Sequence, residues 1–164
     1  MEETLLQNAR AYASRYRLQL AERLGFGIHG IIFVAEDNSQ AGKTAVKAHR
    51  TVEPYHREHA AYERLREARV SEVLGFHVHQ LIRANDDVRV IEMTIVTRPF
   101  VLDFAGAWLD RPPDFPDSAW EDWEAEKREQ FDARWPKVQS VLAALAAMGL
   151  HLVDVSPSNI AFLD

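Results

Sequence analysis

Residues 30–37 read GIIFVAED, and this run of β-branched and aromatic residues directly follows glycines at 25, 27 and 30. No other feature constrains the fold as much. A G-x-G-x-x-G turn that opens a helix belongs to a dinucleotide-binding unit. Here the residues after the third glycine call for a strand instead. Residues 16–24 alternate imperfectly around Leu18 and Leu20 and also read as a strand, so the glycines form a turn between two strands. Such a turn lets backbone N–H groups approach an anion, because no side chain obstructs them. A glycine-rich hairpin with no ligand is the competing reading.

The rest of the chain extends this pattern. Residues 43–49, KTAVKAH, alternate again and complete a hairpin across the turn DNSQAG. Pro54 suits the first turn of a helix that carries Tyr55, His59, Tyr62 and Leu65 at near-helical period. Two strand-like runs follow, 76–84 and 88–96, joined through NDD. A short amphipathic helix over 3–15, with Leu5, Leu6, Ala9, Tyr12 and Ala13 on one side, precedes them all. The order is therefore helix, three strands, helix, two strands, and the expected class is α+β with a five-stranded antiparallel sheet.

Beyond Pro99 the pattern changes. Three prolines within 111–117 predict a loop. Ser118 and Glu121 form a capping-box signature that predicts a helix over 118–135. Pro136 and Gly149 bracket a second, largely apolar helix. Trp120, Trp123, Phe131 and Trp135 read as packing residues in preference to a partner surface.

Composition excludes several classes. There is no cysteine among 164 residues, which rules out disulfides and cysteine-based zinc sites. A net charge of -6 argues against broad nucleic-acid binding. No run is long enough to span a bilayer, and the acidic start MEET is unlike a signal peptide. The expected location is cytoplasmic, with no nucleic-acid or membrane partner.

Several residues are candidates for chemistry. Ala45 and Lys47 share one face of their strand. Small Ala45 leaves room for a flat base, and Lys47 reaches phosphates as a point charge; an ordinary solvated lysine is the alternative. Glu58, beside the apolar stripe of its helix, is the choice to steady Lys47, with Glu63 in reserve. A solvated charged face is the alternative for both. His56 and His59 on the helix, and His77 and His79 on a strand, raise a metal site, but no carboxylate pattern accompanies them.

GFGIHG, TAVKAH, REHAAYERL and VDVSPSN occur in the order and roughly the spacing of the protein-kinase-like superfamily, which residues 16–164 resemble. The resemblance implies a small lobe over 1–98, including the N-terminal helix, then a hinge and a helical lower lobe over 99–164. It implies that Gly25, Gly27 and Gly30 cover the phosphates of ATP and that Ile32 covers the base. It further implies that Lys47 pairs with Glu58, that Asp154 is the catalytic aspartate, and that Asn159 binds Mg²⁺. Leu152 and Val153 stand where the family has His-Arg, and Ser156 at its position is more like the atypical, RIO-type kinases.

The family's second metal-binding aspartate, of Asp-Phe-Gly, has no counterpart after Asn159. Asp164 is a distant stand-in. The expectation is a truncated kinase-like protein that binds nucleotide with weak or no phosphotransfer. The alternatives are a minimal active ATP-dependent phosphotransferase using Asp154, and a non-catalytic interaction module on the same scaffold. A homodimer or protein partner is expected over the C-terminal end, to cover residues 160–163 and the apolar helix.

Overall fold

The computed structural model describes residues 1–39 and 41–164; Gln40, in the expected DNSQAG turn, lies outside the described residues. Helix α1 (Glu2–Tyr16) leads into strands β1 (Leu18–Phe26), β2 (Gly30–Asp37) and β3 (Lys43–His49), then helix α2 (Val52–Glu67). Next come the short strands β4 (Glu72–Val73) and β5 (Phe76–Val78), followed by β6 (Leu81–Asn85) and β7 (Val90–Thr94). The remaining elements are β8 (Phe100–Val101), β9 (Trp108–Leu109), α3 (Asp117–Phe131), a 3₁₀ turn (Asp132–Arg134), α4 (Trp135–Ala147), β10 (Leu150–His151) and β11 (Ile160–Ala161).

The class is α+β. Its main sheet has five antiparallel strands in the order β1-β2-β3-β7-β6. Alternation along the central strands gives each face its own role. Ala45, Ile91 and Met93 face a core shared with α2 and the C-terminal helices. Val46, Ala48 and Val90 face α1 on the other side.

Helix α1 docks through Leu5, Ala9, Tyr12 and Ala13, the stripe its period predicts. One polar knot joins it to the sheet. Buried Glu92 on β7 accepts from the Tyr12 hydroxyl at 2.8 Å, from Thr44 Oγ1 at 2.9 Å and from Arg83 Nε at 2.5 Å. Three donors on one carboxylate offset the cost of taking its charge out of water.

The run 76–84 is not one strand. Phe76–Val78 joins a second sheet, β11-β8-β5-β4, and only Leu81–Asn85 pairs in the main one. The chain crosses between sheets at His79 and Gln80, where Gln80 N donates to Thr94 Oγ1 and His79 Nδ1 meets Thr94 O. Alternation shifts phase at the crossing, from Phe76 and Val78 to Leu81, where two polar residues, His79 and Gln80, stand in a row.

The capping box over Ser118 and Glu121 does not form. Helix α3 begins at Asp117 behind Pro116, with no side-chain cap, and Ser118 falls inside the first turn. Helix α4 does carry proline in its first turn. Gly149 follows it at φ 78°, a conformation that glycine adopts without strain.

Most of the C-terminal end expected to need a partner is covered within the chain. Ile160 pairs with Val101 of β8 and is 1% exposed, and Val138, Val141 and Leu145 of α4 are fully buried within the chain. Phe162 packs edge-on against Phe76, and Leu163 stays exposed. Phe131 and Trp135 are buried, and Trp123 packs against the same core. Among the described residues, no helix is long and apolar enough to cross a membrane.

Candidate functional site

The glycine turn, strand β3, helix α2 and the segments at 102–103 and 158–159 enclose a cavity of about 420 Å³. That size suits a small-molecule ligand. Its roof is the β1–β2 turn, where Gly27 N donates to Gly30 O at 2.9 Å. Gly30 is there by necessity: a Cβ at this position would sit 2.0 Å from Ala48 O on the neighbouring strand. Gly25, Gly27 and Ile32 also line the cavity.

At its inner wall, Lys47 Nζ lies 2.7 Å from Glu58 Oε2, and both side chains are buried. Lys47 reaches inward because β3 alternates, placing Ala45, Lys47 and His49 on the face opposite α1. Glu58 points back because it lies on the same side of α2 as Tyr55, Tyr62 and Leu65. Glu63 instead meets His59 at 3.4 Å and Arg66 at 3.9 Å. Of the two acids considered, Glu58 is therefore the one that meets the lysine.

Two further groups complete this cluster. His49 Nε2 is 2.6 Å from the same Glu58 oxygen, and Asp103 Oδ1 is 3.2 Å from Lys47 Nζ. Burial alone acts to lower the Lys47 pKa, but the Glu58 and Asp103 carboxylates outweigh it and the net shift is upward. Burial acts to raise Glu58, yet Lys47 and then His49 hold it well below the ordinary carboxylate range. Both shifts favour the charged pair. Deeper still, burial raises the Tyr62 hydroxyl and lowers the His79 imidazole, and both side chains line the cavity.

Asn159 and Ser158 form part of the opposite wall. The Asn159 amide closes its own loop: Nδ2 donates to Asp154 O at 3.1 Å, and Oδ1 accepts from Ser156 N at 2.7 Å. A carbonyl oxygen has two lone pairs, so Oδ1 keeps one for a further partner.

Asp154 is exposed on the same loop, outside the cavity lining, with its Cβ beside Gly106. Ala45 is fully buried in the core under the cavity instead of lining it. Asp164 is not part of the site. Its carboxylate is 86% exposed, lies outside the cavity lining and faces Arg98 at 3.4 Å. Among the described residues, no group of three histidine or carboxylate side chains converges as a metal site, so His56, His59, His77 and His79 do not assemble one.

Asp103 is the residue that sequence reasoning misses. It opens an Asp-Phe-Ala-Gly run over 103–106, which lies before Asn159 along the chain and not after it. The pairing of β8 with β11, extended by Leu102 N donating to Asn159 O at 2.8 Å, brings that run to the cleft. There Phe104 packs on Tyr62. The run itself is visible in the sequence, but no local signal says where it returns. His49 did carry a signal, since it shares the Lys47 face by alternation.

No protein-family model, curated protein or solved structure matches this chain.

Proposed function

We propose that this cleft binds a nucleoside triphosphate, ATP, and that the chain is a protein-kinase-like nucleotide-binding protein. The observation that carries the reading is the buried Lys47–Glu58 pair at the foot of a glycine turn between two strands. A buried lysine held in place by Glu58, with Asp103 on its cavity side, is a fixed ammonium donor beneath backbone N–H groups, an arrangement suited to a polyphosphate whose cation engages Asp103. Ile32 and Met93 supply apolar wall for a base.

The side-chain oxygens of Asp103 and Asn159 on the cavity lining fit a hard divalent cation. Asp103 and Asn159 would hold Mg²⁺, which takes one or two carboxylates and leaves its other positions to phosphate and water. When bound, the cation would neutralise charge on the phosphates. Asp103 also favours a second reading, an active phosphotransferase. It supplies the carboxylate whose absence after Asn159 argued against turnover, and exposed Asp154 is then free to accept the proton of an incoming hydroxyl.

The test is a thermal-shift titration with ATP, with and without Mg²⁺. Ligand at 100 times its dissociation constant adds about 2.7 kcal/mol of stability. No shift at millimolar ATP overturns the nucleotide reading and leaves the interaction module. γ-Phosphate release that disappears in Asp154→Ala supports phosphotransfer; no release from the wild type removes it and leaves nucleotide binding intact.

A further inference from the structure

Three consecutive carbonyls of the glycine turn converge on one residue outside the cavity. Arg50 N donates to His29 O at 2.9 Å, Arg50 Nε to Ile28 O at 3.2 Å, and Arg50 Nη2 to Gly27 O at 3.4 Å. The guanidinium also lies 5.6 Å from the centre of the Phe26 ring. Gly27, Ile28, His29 and Gly30 all line the cavity, and Arg50 does not.

In a trans peptide unit the C=O and the following N–H point in opposite directions. Turning the carbonyls of Gly27 and Ile28 toward Arg50 therefore turns the N–H groups of Ile28 and His29 away from it, to the cavity side. Among the described residues, no hydrogen bond uses either N–H. Adjacent unpaired N–H groups of this kind form an anion-binding concavity. The planar guanidinium offers donors in a rigid fork that reaches several carbonyls at once, which the point charge of a lysine does not reproduce. Arg50 also directly precedes Thr51, the N-cap of the helix that carries Glu58, so the turn and the partner of Lys47 are fixed to the same short segment.

We infer that Arg50 is a positioning residue that presets the glycine turn as a cradle for the polyphosphate of the ligand, acting on the backbone from outside without touching the phosphates. This rests on the nucleotide reading of the cleft. It separates contributions that sequence reasoning assigns to the glycines alone: the glycines permit close approach, and Arg50 aims the donors.

The experiment measures binding of ATP, adenosine and inorganic tripolyphosphate to the wild type, Arg50→Lys and Arg50→Ala. Amide hydrogen exchange over residues 25–31 is followed in parallel. Losing two preset hydrogen bonds to an anion weakens ATP and tripolyphosphate about tenfold or more. The same loss is expected in Arg50→Lys as in Arg50→Ala, with adenosine binding unchanged and faster exchange at Gly27, whose N–H bridges the turn to Gly30 O. Should Arg50→Ala fail to fold, Arg50→Lys decides alone. Wild-type ATP affinity in Arg50→Lys overturns the proposal, because charge and not geometry is then what matters. Equal weakening of adenosine and ATP also overturns it, since the effect would be general. A wild type that binds neither ATP nor tripolyphosphate removes the nucleotide reading itself; a wild type that binds ATP as tightly as both variants removes only the role of Arg50.

Discussion

Lys47 Nζ and Glu58 Oε2 are 2.7 Å apart, with Lys47 5% and Glu58 1% exposed, so a strand and a helix are joined by an ion pair almost sealed from water. The same oxygen meets His49. An arrangement this buried holds only while its charges balance, and much of the behaviour of the protein follows from that.

Lys47→Met leaves Glu58 buried with one fewer partner. It should destabilise the fold by about 3–5 kcal/mol, the range for breaking a buried pair on one side. Removing both charges in Lys47→Met/Glu58→Leu should cost clearly less than the sum of the single changes. Urea unfolding of the four proteins measures this coupling, and additive losses would refute it.

The pH dependence has a definite sign. Glu58 is depressed in the folded state, so its stabilisation is complete above its unfolded pKa, about 4.3, and is lost as pH falls through the lower folded value. Lys47 is raised, so its contribution is complete below its unfolded pKa, about 10.4, and is lost as pH rises through the higher folded value. Stability should therefore be flat with respect to this pair between these limits. Glu58→Gln should show a shallower acid decline than the wild type in urea midpoints from pH 2 to 7. Parallel declines would reassign the acid sensitivity to other carboxylates.

The glycines of the turn should separate cleanly. A Cβ at Gly30 collides with backbone at Ala48, which cannot swing aside, so Gly30→Ala should cost at least about 1–3 kcal/mol. A Cβ at Gly27 meets nothing within 4 Å, so Gly27→Ala should fold with a Tm close to that of the wild type. Calorimetry of the two variants checks the contrast. Equal losses would mean that the β2–β3 approach is not what holds Gly30.

Asp103→Asn should weaken ATP binding in the presence of Mg²⁺ about tenfold and should not weaken magnesium-free binding, because the cation loses a charged ligand while Lys47 loses a carboxylate that competes with phosphate. Asp164→Asn should change neither, since Asp164 faces Arg98 on the surface. Calorimetric titration with and without Mg²⁺ distinguishes the two. A magnesium-dependent effect at Asp164 would restore that residue to the site.

Much of the framework is local and hence legible in the sequence. Alternation through Ala45, Lys47 and His49 determines which side chains share a face of β3, and the period of α2 puts Glu58 beside Tyr62. The glycine spacing ahead of a β-branched run determines a turn between strands. What the sequence leaves open is which distant surfaces meet. The pairing of Ile160 with Val101 brings Asp103 beside Asn159 across more than fifty residues of chain, and buries a strand for which a partner is expected. The failed cap at Ser118 has the same origin, since its local pattern fits a helix start at either of two neighbouring positions and packing chooses, whereas the break between β5 and β6 is marked by the phase shift at His79 and Gln80. Periodicity is a property of neighbours along the chain and specifies faces. Closure of one face on another is decided by the burial of apolar area and the pairing of charge between segments far apart, and only the tertiary structure records that choice.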